Sequence, residues 1–112
     1  MNRRIEKMAD AYKVEIFIGG DYMLAVGLCA DFCNREGLCV TVDKTVYVYT
    51  GGVCDGVKIG LINYARFPKS KDIIWRTACA LAIQLKRGLG QGSYTVQDNM
   101  TSLFVTDRDE DQ

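Results

Sequence analysis

The sequence contains no histidine among its 112 residues. Histidine is the side chain best suited to proton transfer near neutral pH, and it is the commonest zinc ligand. Its absence removes the usual general base and the usual metal donor. No phosphate-binding loop, nucleophile motif or metal-ligand spacing replaces it. We therefore expect no catalytic residue, no metal site and no cofactor.

The formal net charge is zero, since 14 basic residues balance 14 acidic ones. A protein held mainly by nucleic-acid phosphates is usually basic, so nucleic acid is not an expected partner. No apolar run approaches the ~18 residues that span a bilayer, and residues 1–10 lack the hydrophobic stretch of a secretory signal. We expect no membrane partner, a cytoplasmic location and reduced cysteines.

The five cysteines do not show the spacing of a metal site. Cys29 and Cys33 are one helical turn apart on an apolar stripe, where buried core thiols are expected. Cys54 lies in a glycine-rich connection and is the one candidate for an exposed, reactive thiol.

Hydrophobic periodicity predicts a single domain of five strands and two helices over residues 1–112. Asp21 and Ser70 are the expected helix N-caps, and Gly37 and either Gly88 or Gly90 the expected stops. The predicted strands are 14–18, 38–50 with a bend or bulge at 43–44, 57–64, 94–96 and 103–105. Residues 51–52 and 55–56 bracket the expected hairpin connection. We expect mobile ends, an N-terminal segment over 1–11 and an acidic tail over 107–112.

The order of elements predicts an α+β fold, the ferredoxin-like split βαβ sandwich, with the arrangement βαββαβ and an added C-terminal strand. Both helices are expected on one face of an antiparallel or mixed sheet. The first and third strands are expected to be parallel neighbours at its centre. A different strand order stays open.

Parallel central strands would bring two helix N-termini together. Helix N-termini offer free N–H groups and a positive dipole end to an anion. The candidate residues for a small anionic or nucleotide ligand are Gly19, Gly20, Asn63, Arg66, Lys69 and Ser70. The same residues also fit ordinary turns, caps and solvated surface, and Asp21 would repel an anion.

The sheet face away from the helices is predicted to carry exposed aromatic and aliphatic side chains: Phe17, Tyr47, Tyr49, Ile62 and Tyr64. Such a face is too apolar to be left bare. We expect it to form a homo-oligomer, a dimer or higher, or to bind a host protein. Cover by the N-terminal segment is the alternative.

Two families with this order of elements fit less well. Residues 16–20 resemble the first-strand motif of RNA-recognition modules, and Phe17 and Tyr64 would stack bases. The third strand lacks that family's register. Acylphosphatases carry an arginine in the loop after the first strand, whereas here that loop reads Gly19-Gly20-Asp21-Tyr22.

The stretch from Gly37 to Pro68, including Tyr49-Thr50-Gly51-Gly52 and Gly60-Leu61-Ile62-Asn63-Tyr64, resembles small uncharacterised proteins of tailed bacteriophages. The resemblance implies expression in an infected bacterium and an accessory role, and it supplies no catalytic residues. The sequence thus predicts a non-enzymatic binding module that acts on a host protein or signal molecule. The alternative is nucleotide or phosphate binding, with or without turnover, at the helix N-termini. Single-stranded RNA binding is the weaker alternative.

Overall fold

The computed structural model describes residues 3–111, which form one five-stranded sheet and two long helices. Along the chain the elements are β1 (Lys13–Gly19), α1 (Tyr22–Glu36), β2 (Thr41–Tyr49), β3 (Gly52–Ile62), α2 (Lys71–Leu89), β4 (Ser93–Gln97), β5 (Ser102–Thr106) and a 3₁₀ turn (Asp109–Asp111). The strand order is β2-β3-β1-β4-β5. This arrangement confirms the α+β, ferredoxin-like fold with an added fifth strand.

The relative direction of the central strands was predicted wrongly. β1 and β3 are neighbours but run antiparallel, so that Lys13 pairs with Ile62 and Gly19 pairs with Gly56. The crossover through α1 makes β2 parallel to β1, and the hairpin that follows reverses the chain again in β3. The carboxyl ends of β1 and β3 therefore lie at opposite ends of the sheet.

The hydrophobic core lies between one sheet face and both helices. Alternate residues of β1 and β3 point into it, as period-two strands require. From the helices it receives the residues at three- and four-residue spacing. The buried members on the central strands and on the helices are Val14, Ile16, Ile18, Val57, Ile59, Leu61, Ala25, Cys29, Phe32, Ile74, Ala78, Leu81, Ala82 and Leu85. Each large aliphatic side chain contributes about 1.5–3 kcal/mol on burial, so this layer fixes the sheet against the helices.

The helix termini are capped where the sequence predicts. The Asp21 carboxylate accepts the Leu24 N–H at 2.9 Å, and the Ser70 hydroxyl accepts the Ile73 N–H at 3.3 Å. Gly37 and Gly90 end the helices with φ of 68° and 67°. The left-handed region favours glycine because it has no Cβ.

The two helices run antiparallel, and their packing determines which termini are neighbours. Gly20 at the start of α1 lies against Leu89 at the end of α2, since a Cβ on Gly20 would be 3.1 Å from that side chain. A Cβ on Gly88 would lie 2.6 Å from Leu28 of α1. The end of α1 and the start of α2 consequently share the opposite end of the domain.

The hairpin of β2 and β3 differs from its prediction. β2 is one continuous strand without a bend, and its ladder with β3 runs from Thr41↔Gly60 to Tyr49↔Gly52. The connection is Thr50-Gly51 alone. β1 ends opposite Gly56, so residues 46–49 and 52–55, the hairpin tip, extend beyond it. At the tip Val46, Val48 and Val53 are exposed by 52%, 80% and 61%.

The described residues nearest the two chain ends lie outside the sheet. Residues 3–12 contain no strand or helix. Near the other end, Lys86 pairs with Asp107, and Arg108 pairs with Asp111 at 2.8 Å. Met1, Asn2 and Gln112, which belong to the two predicted mobile ends, lie outside the described residues. Over residues 3–111, no helix is long and apolar enough to cross a membrane.

Candidate functional site

A cleft of about 480 Å³ opens at the end of the domain where α1 ends and α2 begins. Three segments build it: the end of α1 with the connection to β2, the end of β3 with the loop to α2, and the first turns of α2. The lining residues are Cys33, Gly37, Leu38, Cys39, Leu61, Ile62, Asn63, Tyr64, Arg66, Phe67, Lys69, Ile74 and Thr77. Pockets of about 300–1,000 Å³ hold small organic ligands, so this cleft is large enough for one.

Asn63 organises the loop between β3 and α2. Its backbone N–H donates to the Tyr12 carbonyl at 3.0 Å, and its side-chain amide donates to the Asp10 carbonyl at 2.9 Å. Its side-chain oxygen accepts the Lys69 N–H, also at 2.9 Å. Within the loop, the Phe67 N–H donates to the Tyr64 carbonyl. One asparagine therefore closes the loop at its base and joins it to the N-terminal segment.

The rim of the cleft combines an aromatic ring with positive charge. Phe67 is 64% exposed, and the Arg66 guanidinium lies over its ring, 5.0 Å from the centroid. Lys69 adds a second cation. Among the described residues, no carboxylate lines the cleft. A ligand with a flat ring and a negative group would match this surface, since rings stack on aromatic faces and cations bind carboxylates.

A phenol and two thiols also line the cleft: Tyr64, Cys33 and Cys39. The Tyr64 hydroxyl donates to the Cys39 sulfur at 3.5 Å. That hydrogen bond, together with burial, raises the pKa of Tyr64. Burial and the neighbouring Cys39 raise the pKa of Cys33. Tyr64 is therefore a neutral hydrogen-bond donor at neutral pH, and Cys33 stays a thiol.

Tyr12 connects the neighbouring strand ends beside the cleft. Its hydroxyl donates to the Asp98 carboxylate at 2.7 Å, and the Lys71 ammonium lies 5.8 Å from its ring centroid. Burial and this hydrogen bond raise the pKa of Tyr12 to about 12. The same bond, with the Met100 and Thr101 N–H groups, lowers the pKa of Asp98. The residue before β1 is thus fixed to the turn after β4.

The structure divides the predicted anion-binding residues between the two ends of the domain. Asn63, Arg66 and Lys69 line the cleft, and Ser70 caps α2 beside it. Gly19 and Gly20 lie at the far end, where the Gly20 N–H donates to the Asp55 carbonyl at 3.0 Å. The expected pairing of two helix N-termini is wrong because β1 and β3 are antiparallel. Only the N-terminus of α2 is near the cleft.

Four of the five residues predicted for the outer face lie on it, and two of the five line the cleft. Phe17, Tyr47, Tyr49 and Ile62 are on the sheet face away from the helices, as the alternation predicts. Phe17 and Tyr47 line a shallow depression of about 290 Å³, together with Lys58 and with Asp43, Lys44 and Thr45 of β2. Ile62, the last residue of β3, and Tyr64, in the loop after it, line the cleft.

Sequence reasoning missed several lining residues. Cys33, Leu38 and Cys39 come from the end of α1 and the connection to β2, whereas Phe67 comes from the β3–α2 loop and Ile74 from the start of α2. The signal that could have found them is topological, since antiparallel helices place these two termini together. Cys54, the predicted exposed thiol, is exposed but lies on the hairpin tip, away from the cleft.

No known family and no curated protein matches this sequence. Solved structures do match the fold. A phage SAM lyase in its apo state superposes with a TM-score of 0.70 at 17% identity, over 95% of this chain and 98% of that chain. A phage SAM lyase in complex with S-methyl-5'-thioadenosine gives a TM-score of 0.61 at 14% identity, over 94% and 96%. At these identities the similarity establishes the fold.

These matches correct the functional prediction from sequence. The prediction of a non-enzymatic binding module that acts on a host protein is wrong, because the fold matches an enzyme over almost its whole length. The expectation that the chain is not an enzyme fails for the same reason. The alternative, a nucleotide-type ligand with turnover, agrees better with the matching structures, since one of them holds a nucleoside. The matched structures are phage proteins, in agreement with the resemblance found in residues 37–68.

Proposed function

We propose that this protein is a lyase that cleaves S-adenosylmethionine and releases S-methyl-5'-thioadenosine, with the ligand bound in the cleft beside Arg66 and Phe67. The observation that carries the proposal is the fold match to a phage SAM lyase over 95% of this chain and 98% of the other. The cleft adds independent support. It is the larger of the two described pockets, and its surface chemistry fits such a ligand.

The parts of the ligand correspond to parts of the cleft. The flat faces of the adenine ring would pack against the apolar side chains of Leu38, Ile62 and Phe67. The amino-acid carboxylate of S-adenosylmethionine would bind Arg66 or Lys69, where charge-assisted hydrogen bonds are strong. The Tyr64 hydroxyl has one proton, so it would turn from the Cys39 sulfur to donate to a ligand oxygen.

The proposed reaction breaks the bond between the sulfonium sulfur and the four-carbon amino-acid chain. Both bonding electrons stay on sulfur, which becomes the neutral thioether of S-methyl-5'-thioadenosine. A lyase adds no water, so the carbon chain must replace the lost bond internally. It does so either by losing a proton and forming a double bond, or by closing a ring through its own carboxylate. The two possible second products are isomers of equal mass, so their proton NMR spectra, in which only the elimination product shows vinyl signals, distinguish these two routes.

Chromatography with mass detection tests the activity directly. Purified protein incubated with S-adenosylmethionine should form S-methyl-5'-thioadenosine, and Arg66→Ala should reduce kcat/KM by about tenfold, as for loss of a charged hydrogen bond. Arg87→Ala is the matched control, because Arg87 is exposed in the last turn of α2 at the far end of the domain. No product from the wild type would refute the proposal.

Calorimetry then tests the assignment of Arg66. S-adenosylhomocysteine carries the amino-acid carboxylate, whereas S-methyl-5'-thioadenosine does not. Arg66→Ala should therefore weaken binding of the first ligand by about tenfold and change binding of the second by less than about twofold. An equal loss for both ligands would place the carboxylate elsewhere.

We also propose that the protein is phage-encoded and acts in the cytoplasm of an infected bacterium. The phage origin of the matched structures and the resemblance of residues 37–68 support this. Expression in a bacterium should lower cellular S-adenosylmethionine and raise S-methyl-5'-thioadenosine. An unchanged ratio of these two metabolites in cells that express the wild-type protein well would contradict activity in the bacterial cytoplasm.

The predicted homo-oligomer stays a proposal. Tyr49 on the outer face and Val46, Val48 and Val53 on the hairpin tip expose apolar surface of the kind that interfaces cover. Size-exclusion chromatography with light scattering should give a dimer or larger assembly, and Tyr49→Lys should shift it toward the monomer. A monomeric wild type at high concentration would contradict the proposal.

A further inference from the structure

The β3–α2 loop carries the cations and the exposed ring of the cleft, yet few hydrogen bonds hold it. Arg66, Phe67 and Lys69 are all exposed. Within the loop, the one backbone bond described runs from the Phe67 N–H to the Tyr64 carbonyl. The position of these three side chains therefore depends on how the base of the loop is fixed.

Asn63 fixes that base with both ends of its side-chain amide. The oxygen accepts the Lys69 N–H, and this hydrogen bond joins the two ends of the loop over residues 63–69. The NH₂ group donates to the Asp10 carbonyl, 53 residues away in sequence. Because an amide that is bonded at both ends has one orientation, each partner limits the movement of the other.

The N-terminal segment is itself anchored beside this bond. Tyr12, two residues after Asp10, is held by its hydroxyl on Asp98 and by its backbone carbonyl on Asn63. Asp10 lies in a stretch with no strand or helix, so no sheet ladder occupies its carbonyl. The segment therefore presents a fixed acceptor to the loop.

We propose that Asn63 is a positioning residue for the ligand site, and that the N-terminal segment, through the Asp10 carbonyl, belongs to that site. This inference rests on the proposed function. Asn63 would act through Arg66, Phe67 and Lys69, by keeping their loop in the conformation that meets the ligand.

Three variants separate the two bonds. Asn63→Ala removes both. Asn63→Asp keeps an acceptor for the Lys69 N–H and removes the donor to Asp10. A chain that begins at Ala11 removes the Asp10 carbonyl and leaves Asn63 intact. The matched control is Asn34→Ala, because Asn34 is an exposed asparagine on the last turn of α1.

Binding of S-adenosylhomocysteine by calorimetry is the main measurement, because this ligand carries the carboxylate that Arg66 or Lys69 would bind. Asn63→Ala should weaken binding about tenfold, and Asn63→Asp and the shortened chain by about threefold to fivefold each. Combining the last two should cost no more than either alone, because both remove the same hydrogen bond. With S-adenosylmethionine, KM should rise more than kcat falls, as for lost uniform binding. If Asn63 had a purely structural role, its replacement would lower the melting temperature but would not raise KM more than it lowers kcat.

Trypsin gives a second measurement that needs no ligand. Cleavage after Arg66 and Lys69 should be faster in Asn63→Ala than in the wild type and in Asn34→Ala. Unchanged cleavage, or unchanged binding by Asn63→Ala, overturns the positioning role while the proposed function stands. A wild type that neither binds S-methyl-5'-thioadenosine nor cleaves S-adenosylmethionine overturns the proposed function, and this inference with it.

Discussion

Adding one methyl group to Gly56 should destabilise the protein strongly. A Cβ at this position would lie 2.3 Å from Cε2 of Tyr47 and 2.7 Å from the Ile18 carbonyl oxygen. Non-bonded carbon atoms rest about 3.5–4.0 Å apart, so the first contact is more than ~1 Å too short. The Ile18 oxygen is backbone in the central strand and cannot rotate away.

The Tyr47 ring is not free to move either. Its hydroxyl donates to the Val57 carbonyl at 2.6 Å. Forced overpacking costs about 1–3 kcal/mol, and loss of this hydrogen bond adds about 1 kcal/mol. We expect Gly56→Ala to lower the free energy of unfolding by about 2–4 kcal/mol. For a chain of this length, the unfolding entropy of roughly 0.24 kcal/mol/K converts that loss to a fall in Tm of about 8–17 °C.

Gly27→Ala is the matched control, since it makes the same chemical change in the middle of α1. Nothing lies within 4 Å of a Cβ at Gly27. Alanine is the better helix former by about 0.8–1 kcal/mol, so Tm should rise by about 3–4 °C. Thermal unfolding followed by circular dichroism compares the two variants. If Gly56→Ala melted within about 2 °C of the wild type, the close packing of Tyr47 on β3 would be refuted.

Two further predictions concern the helix cap and the pH dependence of stability. Ser70→Ala should cost about 1 kcal/mol by removing the N-cap of α2, whereas Ser70→Asp should keep the native Tm; equal melting of Ser70→Ala and the wild type would exclude the cap. The pKa of Asp98 is lowered by Tyr12, so its contribution is present above the ordinary carboxyl pKa and is lost as pH falls through the folded value. The pKa of Tyr12 is raised from 10.0 to about 12, so its contribution is present below pH 10 and is lost as pH rises toward 12. Urea midpoints measured across both ranges should vary less with pH in Tyr12→Phe; an unchanged profile would contradict the bond to Asp98.

The local features of the fold were predictable from sequence because their signals are local. Asp21 and Ser70 were identified as N-caps, and each accepts the expected N–H three residues on. Gly37 was identified as a helix stop, and its positive φ explains why. Periodicity likewise predicted β1 and both helices, whose regularly spaced apolar residues form the core.

Glycine in β3 was misinterpreted for a physical reason. Asp55-Gly56 resembles a turn, but Gly56 lies in the ladder opposite Thr45 and Gly19. Its lack of a side chain makes room for the Tyr47 ring and not for a change of direction. A sequence pattern cannot distinguish these two uses of glycine, because the second depends on a residue in the neighbouring strand.

The candidate site was predictable only in part. The loop with Asn63, Arg66 and Lys69 was identified because cations before a helix N-terminus are visible in sequence. Its partner was wrongly taken as the loop after β1, since the direction of β3 was misjudged. The fold match that supports the proposed function was also not visible in the sequence, because the two chains are only 17% identical.

The extension of the β2–β3 hairpin beyond β1 gives one pair of strands two different stabilities. At Val42↔Ile59 the ladder packs on the core, and β3 is also paired with β1 at this point. Its amide protons should therefore exchange with solvent only when the whole domain unfolds. At Val48↔Val53 neither helix nor β1 covers the chain, and the same ladder should open on its own at a much smaller free energy. Exchange rates along this single hairpin would therefore report global unfolding at one end and local fraying at the other.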